Sequence, residues 1–377
     1  MTSRLPDDWT RGSFAARLDT PEGPVVLGVQ GGEAHDLTHA FGTASAWLDS
    51  PDPVAAIRGR GRRLDFDLAA ALAQGRLLAP IDLQAIKACG VTYVRSMLER
   101  VIEERCRGDA SQAETIRAEV RGILGDDLTN LRPGSPEAMA VKRSLVEKGW
   151  WSQYLEVGIG PDAEVFTKAQ PMSAVGPGAR IGVHPASDWS NPEPEAVLAV
   201  NSRGAIVGAM LGNDVNLRDV EGRSALLLGR AKDNNAACAL GPVLRLFDEG
   251  FTLEDVRQAE VRLTISGEDG FTLDERGRVD AISRDPADLV AQASNAHHQY
   301  PDGLVLFLGT PFSPSKDRGA PGMGFTHRPG DVVTISSPRL GALSNTVART
   351  DECPPWRFGT GALFRSLAAR GLPLADA

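Results

Sequence analysis

Apolar residues along this chain follow two different spacings. Val25 to Val29 form a short strand-like run, and an Ala/Leu-rich stretch from Phe66 to Leu77 has the spacing of a helix. Residues 1–80 are therefore expected to form a small N-terminal α/β domain. Around Leu78 the segment LLAPIDLQAIKACGVTYV reads as a buried strand leading into a helix. That helix carries Val94, Met97, Leu98, Val101 and Ile102 at i, i+3, i+4, i+7 and i+8, so one face belongs in a core. Ser96 and Glu99 share the opposite side, facing either water or a cleft.

Residues 103–130 are charged and helical in pattern. Ser135-Pro136 then supplies an N-cap and a proline at the first helical position, starting a helix that runs to about Lys148. We read about 100–150 as a helical insertion within a larger domain spanning 81–377. Beyond Trp150 strand patterns dominate: Ala196 to Val200, Ala205 to Met210, the alternating Val261, Leu263 and Ile265, Leu304 to Leu308, and Val332 to Ile335. Glycines and prolines punctuate them, which predicts an α+β fold around a rolled or sandwiched mixed sheet.

Composition narrows the function. With 377 residues and 42% hydrophobic content the chain can bury a core unaided. A net charge of −9 argues against a nucleic-acid surface and against a polybasic membrane patch, leaving a small molecule as the expected partner. Cys89, Cys106, Cys238 and Cys353 are widely spaced and suggest neither a disulfide framework nor a zinc site. The N-terminus lacks a signal pattern, and no stretch approaches the roughly 20 apolar residues of a membrane-spanning helix. A cytoplasmic location is expected.

The chemistry concentrates in acidic residues. In Asn191-Pro-Glu193-Pro-Glu195 each glutamate precedes or follows a proline, which favours extended backbone and puts Glu193 and Glu195 on one side. Two carboxylates on one face repel unless a proton or a cation lies between them. Asp214 is the third member, expected in a Gly212-Asn-Asp214 turn at the end of the preceding strand. Three oxygen donors with no Cys or His nearby suit a hard cation, Mg²⁺ first and Mn²⁺ as the alternative.

Taken together, Phe166-Thr-Lys168, Asn191-Pro-Glu193-Pro-Glu195, Gly212-Asn-Asp214-Val-Asn-Leu-Arg218-Asp219, Lys232-Asp233, Gly309-Thr310-Pro311 and Pro329-Gly330-Asp331 resemble the fumarylacetoacetate hydrolase superfamily from about Leu78 to near the C-terminus. The resemblance implies that family's mixed β-sandwich roll, a homodimer or homotetramer, and a Mg²⁺ or Mn²⁺ site on Glu193, Glu195 and Asp214. Members that hydrolyse acylpyruvates carry Tyr-x-x-His-x-x-Glu. Here the stretch is Tyr93-Val-Arg-Ser96-Met-Leu-Glu99, and a serine cannot replace the histidine as a base near neutral pH without a partner.

The insertion and Gly229-Arg-Ala-Lys232-Asp-Asn-Asn235 look more like the 2-keto-3-deoxy-pentonate dehydratase branch. That branch implies dehydration of a 2-oxo sugar acid, derived from xylonate or arabinonate, to 2,5-dioxopentanoate. The alternatives are an acylpyruvate or fumarylacetoacetate-type hydrolase, an oxaloacetate decarboxylase, or a metal-binding protein without catalysis. Lys232 is the candidate for countering developing charge or exchanging a proton, with its pKa expected to be depressed beside a cation. Glu164 and Glu99 are the acid and base candidates. Thr310, Ser173, Ser96 and Lys168 are assigned to substrate binding, and Arg218 and Asp219 to bracing the metal loop.

Overall fold

A strand that is apolar at every position needs cover on both faces of its sheet, whereas an alternating strand needs it on one. Both kinds occur in this chain, and they sort into different sheets. The computed structural model describes residues 3–93, 97, 101, 131–314, 316–318 and 324–373. In chain order the strands are β1 (Ser13–Leu18), β2 (Val25–Gln30), β3 (Glu33–Asp36), β4 (Arg62–Leu64), β5 (Leu77–Leu78), β6 (Ala85–Gly90), β7 (Glu164–Ala169), β8 (Arg180–Val183) and β9 (Ser190–Asn191). They continue as β10 (Pro194–Val200), β11 (Ile206–Asp214), β12 (Asn216–Leu217), β13 (Cys238–Leu246), β14 (Glu260–Ser266), β15 (Thr272–Arg278), β16 (Leu304–Phe307), β17 (Val332–Ser337) and β18 (Gly341–Arg349).

An eleven-stranded sheet runs β4-β3-β2-β1-β13-β11-β10-β16-β6-β7, with β5 beside β1, and a five-stranded sheet runs β15-β14-β17-β18-β8. Most neighbours are antiparallel, but β16 with β6 and β18 with β8 are parallel, so the sheets are mixed. Strand β10 is buried throughout. Its Ala196, Leu198 and Val200 enter a core shared with Leu263, Ile265 and Ile335 of the smaller sheet. Val197 and Ala199 join a second core with Trp47, Ile57 and Phe307. By contrast β14 buries Val261, Leu263 and Ile265 and leaves the intervening residues partly exposed, as its alternation predicts. Fully burying one Leu or Ile of this kind is worth about 1.5–3 kcal/mol.

The N-terminal segment has a local core of Phe14, Leu27, Leu68 and Leu72 among others. Its β1 pairs with β13, Phe14 opposite Arg245, so its strands also extend the main sheet. The expected helix at Phe66 to Leu77 is shorter, Leu68–Ala73, because Gly75 at φ +67° ends it and Leu77–Leu78 pairs with β1 instead. The helix Pro136–Glu147 begins as its cap predicts, Ser135 Oγ accepting from Ala138 N at 3.1 Å. Met97 and Val101 are buried with Leu145, Leu155 and Ile159, which is the core face the spacing requires. Ser96, Glu99 and residues 102–130 of the insertion lie outside the described residues. No helix among the described residues is long and apolar enough to cross a membrane.

Candidate metal centre and its cleft

Register brings the acidic residues together. Strands β10 and β11 are antiparallel neighbours with Pro194 opposite Asn213 and Glu195 opposite Gly212, so the NPEPE segment and the end of β11 meet at one edge. Asp214 N donates to Glu193 O at 3.1 Å, and Glu193 N donates to Asn213 Oδ1 at 3.3 Å. Asp214 is therefore the last residue of a paired strand, opposite Cys238, and not part of a turn as expected from its glycine and asparagine neighbours. Ligand oxygens of Glu193, Glu195 and Asp214 lie within 4.8 Å of one another, and all three residues are buried.

Two lysines reach the cluster from below. Lys232 Nζ lies 2.5 Å from Glu193 Oε2 and 2.9 Å from Asp214 Oδ2, and sits 5.6 Å from the centre of the Phe166 ring. Lys168 is fully buried; its Nζ donates to the carbonyls of Val215 and Lys232 and lies 2.9 Å from Asp214 Oδ1. That close approach is off the line of a hydrogen bond, so Asp214 Oδ1 keeps an unmet lone pair. Lys168 was assigned to substrate, but here its ammonium is behind Asp214.

Burial first, then the charges of Asp214 and Glu193, hold the Glu195 pKa well above the usual carboxylate range, against the lowering by Lys232 and by Gly309 N–H. Burial pulls the Lys232 pKa down, but Asp214, Glu193 and Glu221 outweigh it and raise the value. Among protein groups alone the shift is therefore upward, whereas the depression expected from sequence is for a lysine beside a cation.

These groups fit a divalent cation. Glu193, Glu195, Asp214 and the nearby Glu221 face the ammonium groups of Lys168 and Lys232, an excess of two carboxyl groups in a buried setting. Asp214 Oδ1 lacks a hydrogen-bond partner, the raised Glu195 pKa reflects burial beside the charges of Asp214 and Glu193, and an all-oxygen donor set suits a hard ion. Any ion held by Glu193, Glu195 and Asp214 would relieve each of these strains.

The cleft above the cluster encloses about 50 Å³ and is lined by Gly90, Thr92, Glu164, Phe166, Glu221 and Thr310 besides the triad and Lys232. Alternation on β7 explains its floor: Glu164, Phe166 and Lys168 share one face, partly exposed at Glu164 and fully buried at Lys168. Thr310 Oγ1 donates to backbone carbonyls, 2.6 Å from Phe312 O and 3.3 Å from Pro194 O. Ser173 Oγ donates to Gln170 O at 2.7 Å in its own turn, and Ser173 is not among the residues lining the cleft. Arg218 stacks on Trp189 at 4.4 Å, while Asp219 accepts from Ser187 Oγ at 2.6 Å and from Asp188 N at 3.0 Å, holding the loop before the ligands. A hollow of about 640 Å³ near Asp8, Arg245 and Arg339 is larger; in it Arg245 pairs with Asp248 at 2.6 Å and Arg339 with Asp8 at 3.1 Å.

Three contributors were not singled out from the sequence. Gly309 N donates to Glu195 Oε2 at 2.6 Å from a backbone at φ +93°, which a residue with a Cβ rarely adopts. Asn216 Nδ2 donates to Glu193 Oε1 at 3.0 Å and to Glu221 Oε2 at 2.6 Å. The signal for Asn216 was its position two residues after Asp214 in extended chain. Nothing local marked Glu221, and Gly309 stood in the Gly309-Thr310-Pro311 motif without a role for its N–H.

The site and the sandwich define the class. The chain belongs to the fumarylacetoacetate hydrolase family: residues 156–348 match the family profile described as fumarylacetoacetate (FAA) hydrolase C-terminal. Within it, the chain is 33% identical over 194 residues to a Haloferax volcanii protein named "probable 2-keto-3-deoxyxylonate dehydratase", covering 52% of this chain and 63% of that one. It is 30% identical over 186 residues to the 2-dehydro-3-deoxy-D-arabinonate dehydratase of Saccharolobus solfataricus, covering 49% and 59%. The chain thus spans about three fifths of the length of the curated relatives it matches.

Solved structures share the fold. A 2-keto-3-deoxy-D-arabinonate dehydratase complexed with magnesium and 2,5-dioxopentanoate superposes with a TM-score of 0.63 at 20% identity, over 89% of this chain and 99% of that chain. The fumarylacetoacetate hydrolase of Exiguobacterium antarcticum gives 0.58 at 17% identity, again over 89% and 99%.

Proposed function

We propose that this chain is a hydro-lyase that uses Mg²⁺, or Mn²⁺ in its place, to dehydrate a 2-keto-3-deoxy sugar acid to 2,5-dioxopentanoate. The observation that carries the reading is the buried Glu193, Glu195 and Asp214 cluster with Lys232 across it and Glu164 on the same cleft wall. The names of the two curated relatives support the substrate class, pentonates derived from xylonate or arabinonate. A divalent cation on the three carboxylates would supply a Lewis acid for the substrate's carboxylate and 2-oxo oxygen.

The chain's own groups account for the proton handling. Lys232 places a positive charge beside the ligand carboxylates, where it counters negative charge that develops at the 2-oxo oxygen. Glu164 stands on the cleft wall as the group that takes the C3 proton or returns one to the departing C4 hydroxyl. Water leaves from C3 and C4; C5 then gives up a proton as C3 takes one, and the resulting C4–C5 enol takes a proton at C4 as its hydroxyl loses one, which makes C5 the aldehyde. Thr310 borders the same cleft and is assigned to the substrate carboxylate end through its backbone N–H, its hydroxyl proton being given to Phe312 O.

The test is incubation of Mg²⁺-loaded protein with racemic 2-keto-3-deoxypentonate, the aldehyde being followed with a coupled aldehyde dehydrogenase. Formation of 2,5-dioxopentanoate with the carbon chain intact is expected. Release of a shorter 2-oxo acid would point to carbon–carbon cleavage, and no aldehyde with any divalent metal counts against dehydration.

Gly90 gives a further prediction. It pairs directly with Glu164 across β6 and β7, and a Cβ there would come within 1.9 Å of Glu164 Oε2. Gly90→Ala is therefore expected to push the Glu164 carboxylate out of place and lower kcat by about 10–100-fold, since misplacement by an ångström has effects of that size. The fold should survive because the obstructed atom is the end of a flexible side chain. A variant with wild-type kcat would remove Glu164 from the mechanism or show that it has room to move.

A further inference from the structure

Glu193 has two carboxylate oxygens, and what holds each one decides which faces the ion site. Oε2 lies against Lys232 Nζ, and Oε1 accepts from Asn216 Nδ2 at 3.0 Å. The same amide nitrogen donates to Glu221 Oε2 at 2.6 Å, so its two hydrogens serve two carboxylates. Asn216 is completely buried, and its Oδ1 has no hydrogen-bond partner. A buried amide with an unmet carbonyl destabilises a fold relative to an apolar side chain of similar size, so packing does not account for an asparagine here.

The backbone accounts for its position. Asp214 and Asn216 are two apart at the junction of β11 and β12 and so project to the same side. Asn216 is also the cross-strand partner of Asn191 in the β9–β12 ribbon, two residues before Glu193. This short ribbon thus continues, beyond β10 and β11, the pairing of the NPEPE segment with the segment that carries Asp214.

We propose that Asn216 is a positioning residue for the metal centre. Anchored on its outer side by Glu221, it holds Glu193 by Oε1 so that Oε2 is presented towards Glu195 and Asp214. The inference rests on the metal-centre reading and deepens it; neither Asn216 nor Glu221 is required to touch substrate. An amide is the side chain that serves: leucine has the size but no donor, and aspartate would add a fifth carboxylate.

The test is Mg²⁺ binding by titration calorimetry, with the Mg²⁺-dependent rise in melting temperature as a second readout, on wild type, Asn216→Leu, Glu221→Ala and Glu221→Gln. Asn216→Leu is expected to bind Mg²⁺ about 10–100-fold more weakly, the usual cost of losing a group that orients a ligand. Glu221→Gln removes a charge but still accepts from Asn216, whereas Glu221→Ala removes the anchor as well, so Glu221→Ala should bind more weakly than Glu221→Gln. Should Asn216→Leu fail to fold, the two Glu221 variants decide. Equal affinity of those two variants, or an Asn216→Leu affinity within about twofold of wild type, overturns the clamp while leaving the metal centre standing. Failure of wild type to bind Mg²⁺ overturns the metal-centre reading and this inference with it.

Discussion

Replacing Glu195 by glutamine is expected to abolish metal-supported turnover, a loss of at least about 10³-fold, because a Lewis acid held there would lower the barrier by several kcal/mol. The substitution keeps the shape of the site and leaves an oxygen for the Gly309 N–H, now 2.6 Å from Glu195 Oε2. What it removes is one of three ligand charges. The same variant carries an opposite prediction for stability in EDTA. The Glu195 pKa is raised in the folded state by burial, by Asp214 and by Glu193, so the folded protein holds this proton more tightly than the unfolded chain. Its contribution to stability is present below the unfolded value, about 4.3, and is lost as pH rises towards the folded pKa. Glu195→Gln should therefore melt higher than wild type in EDTA at neutral pH, with the gap narrowing as pH falls, and should gain little from added Mg²⁺. A lower melting temperature at neutral pH in EDTA would mean that Glu195 is compensated by protein groups alone.

Lys232→Met separates charge compensation from chemistry. Turnover is expected to fall by about 10²–10⁴-fold, the range for losing a group that handles a proton or a developing charge. Mg²⁺ binding should be preserved or tightened, since Lys232 Nζ sits against Glu193 and Asp214 and its removal frees their carboxylates for an ion. In EDTA the variant should lose about 3–5 kcal/mol of stability, because removing one partner leaves buried carboxylates uncompensated, and saturating Mg²⁺ should restore most of it. Denaturant melts with and without Mg²⁺ measure this directly. A variant that turns over at the wild-type rate would make Lys232 a structural counter-ion only.

Much of the sandwich was legible because its strands differ in pattern. The alternation of Val261, Leu263 and Ile265 and the continuous apolar run of β10 each state how many faces are covered, and the structure covers that number. Glu193 and Glu195 could be paired from two prolines, since extended backbone alone puts residues two apart on one side. Asp214 was expected in a turn and lies at the end of a paired strand. Gly212 and Asn213 suggest a turn in isolation, but pairing with β10 and β13 keeps them extended. Lys168 and Ser173 were harder, because a lysine or serine near a motif carries no sign of direction. One proved to be fully buried behind Asp214 and the other bonded within its own turn.

The amino-acid order by itself determined the element types, the apolar faces and the presence of an all-oxygen donor set, because each depends on residues within a few positions of one another. Only the tertiary structure decided how the charges add. Glu221, Asn216 and the Gly309 N–H act on carboxylates 5 to 114 positions away in sequence, through sheet register and a ribbon that no local pattern encodes. The upward shift of Lys232 among protein groups likewise comes from the carboxylates that close around it. Electrostatic energy depends on distance in space and on exclusion of water, and both exist only once the strands have paired.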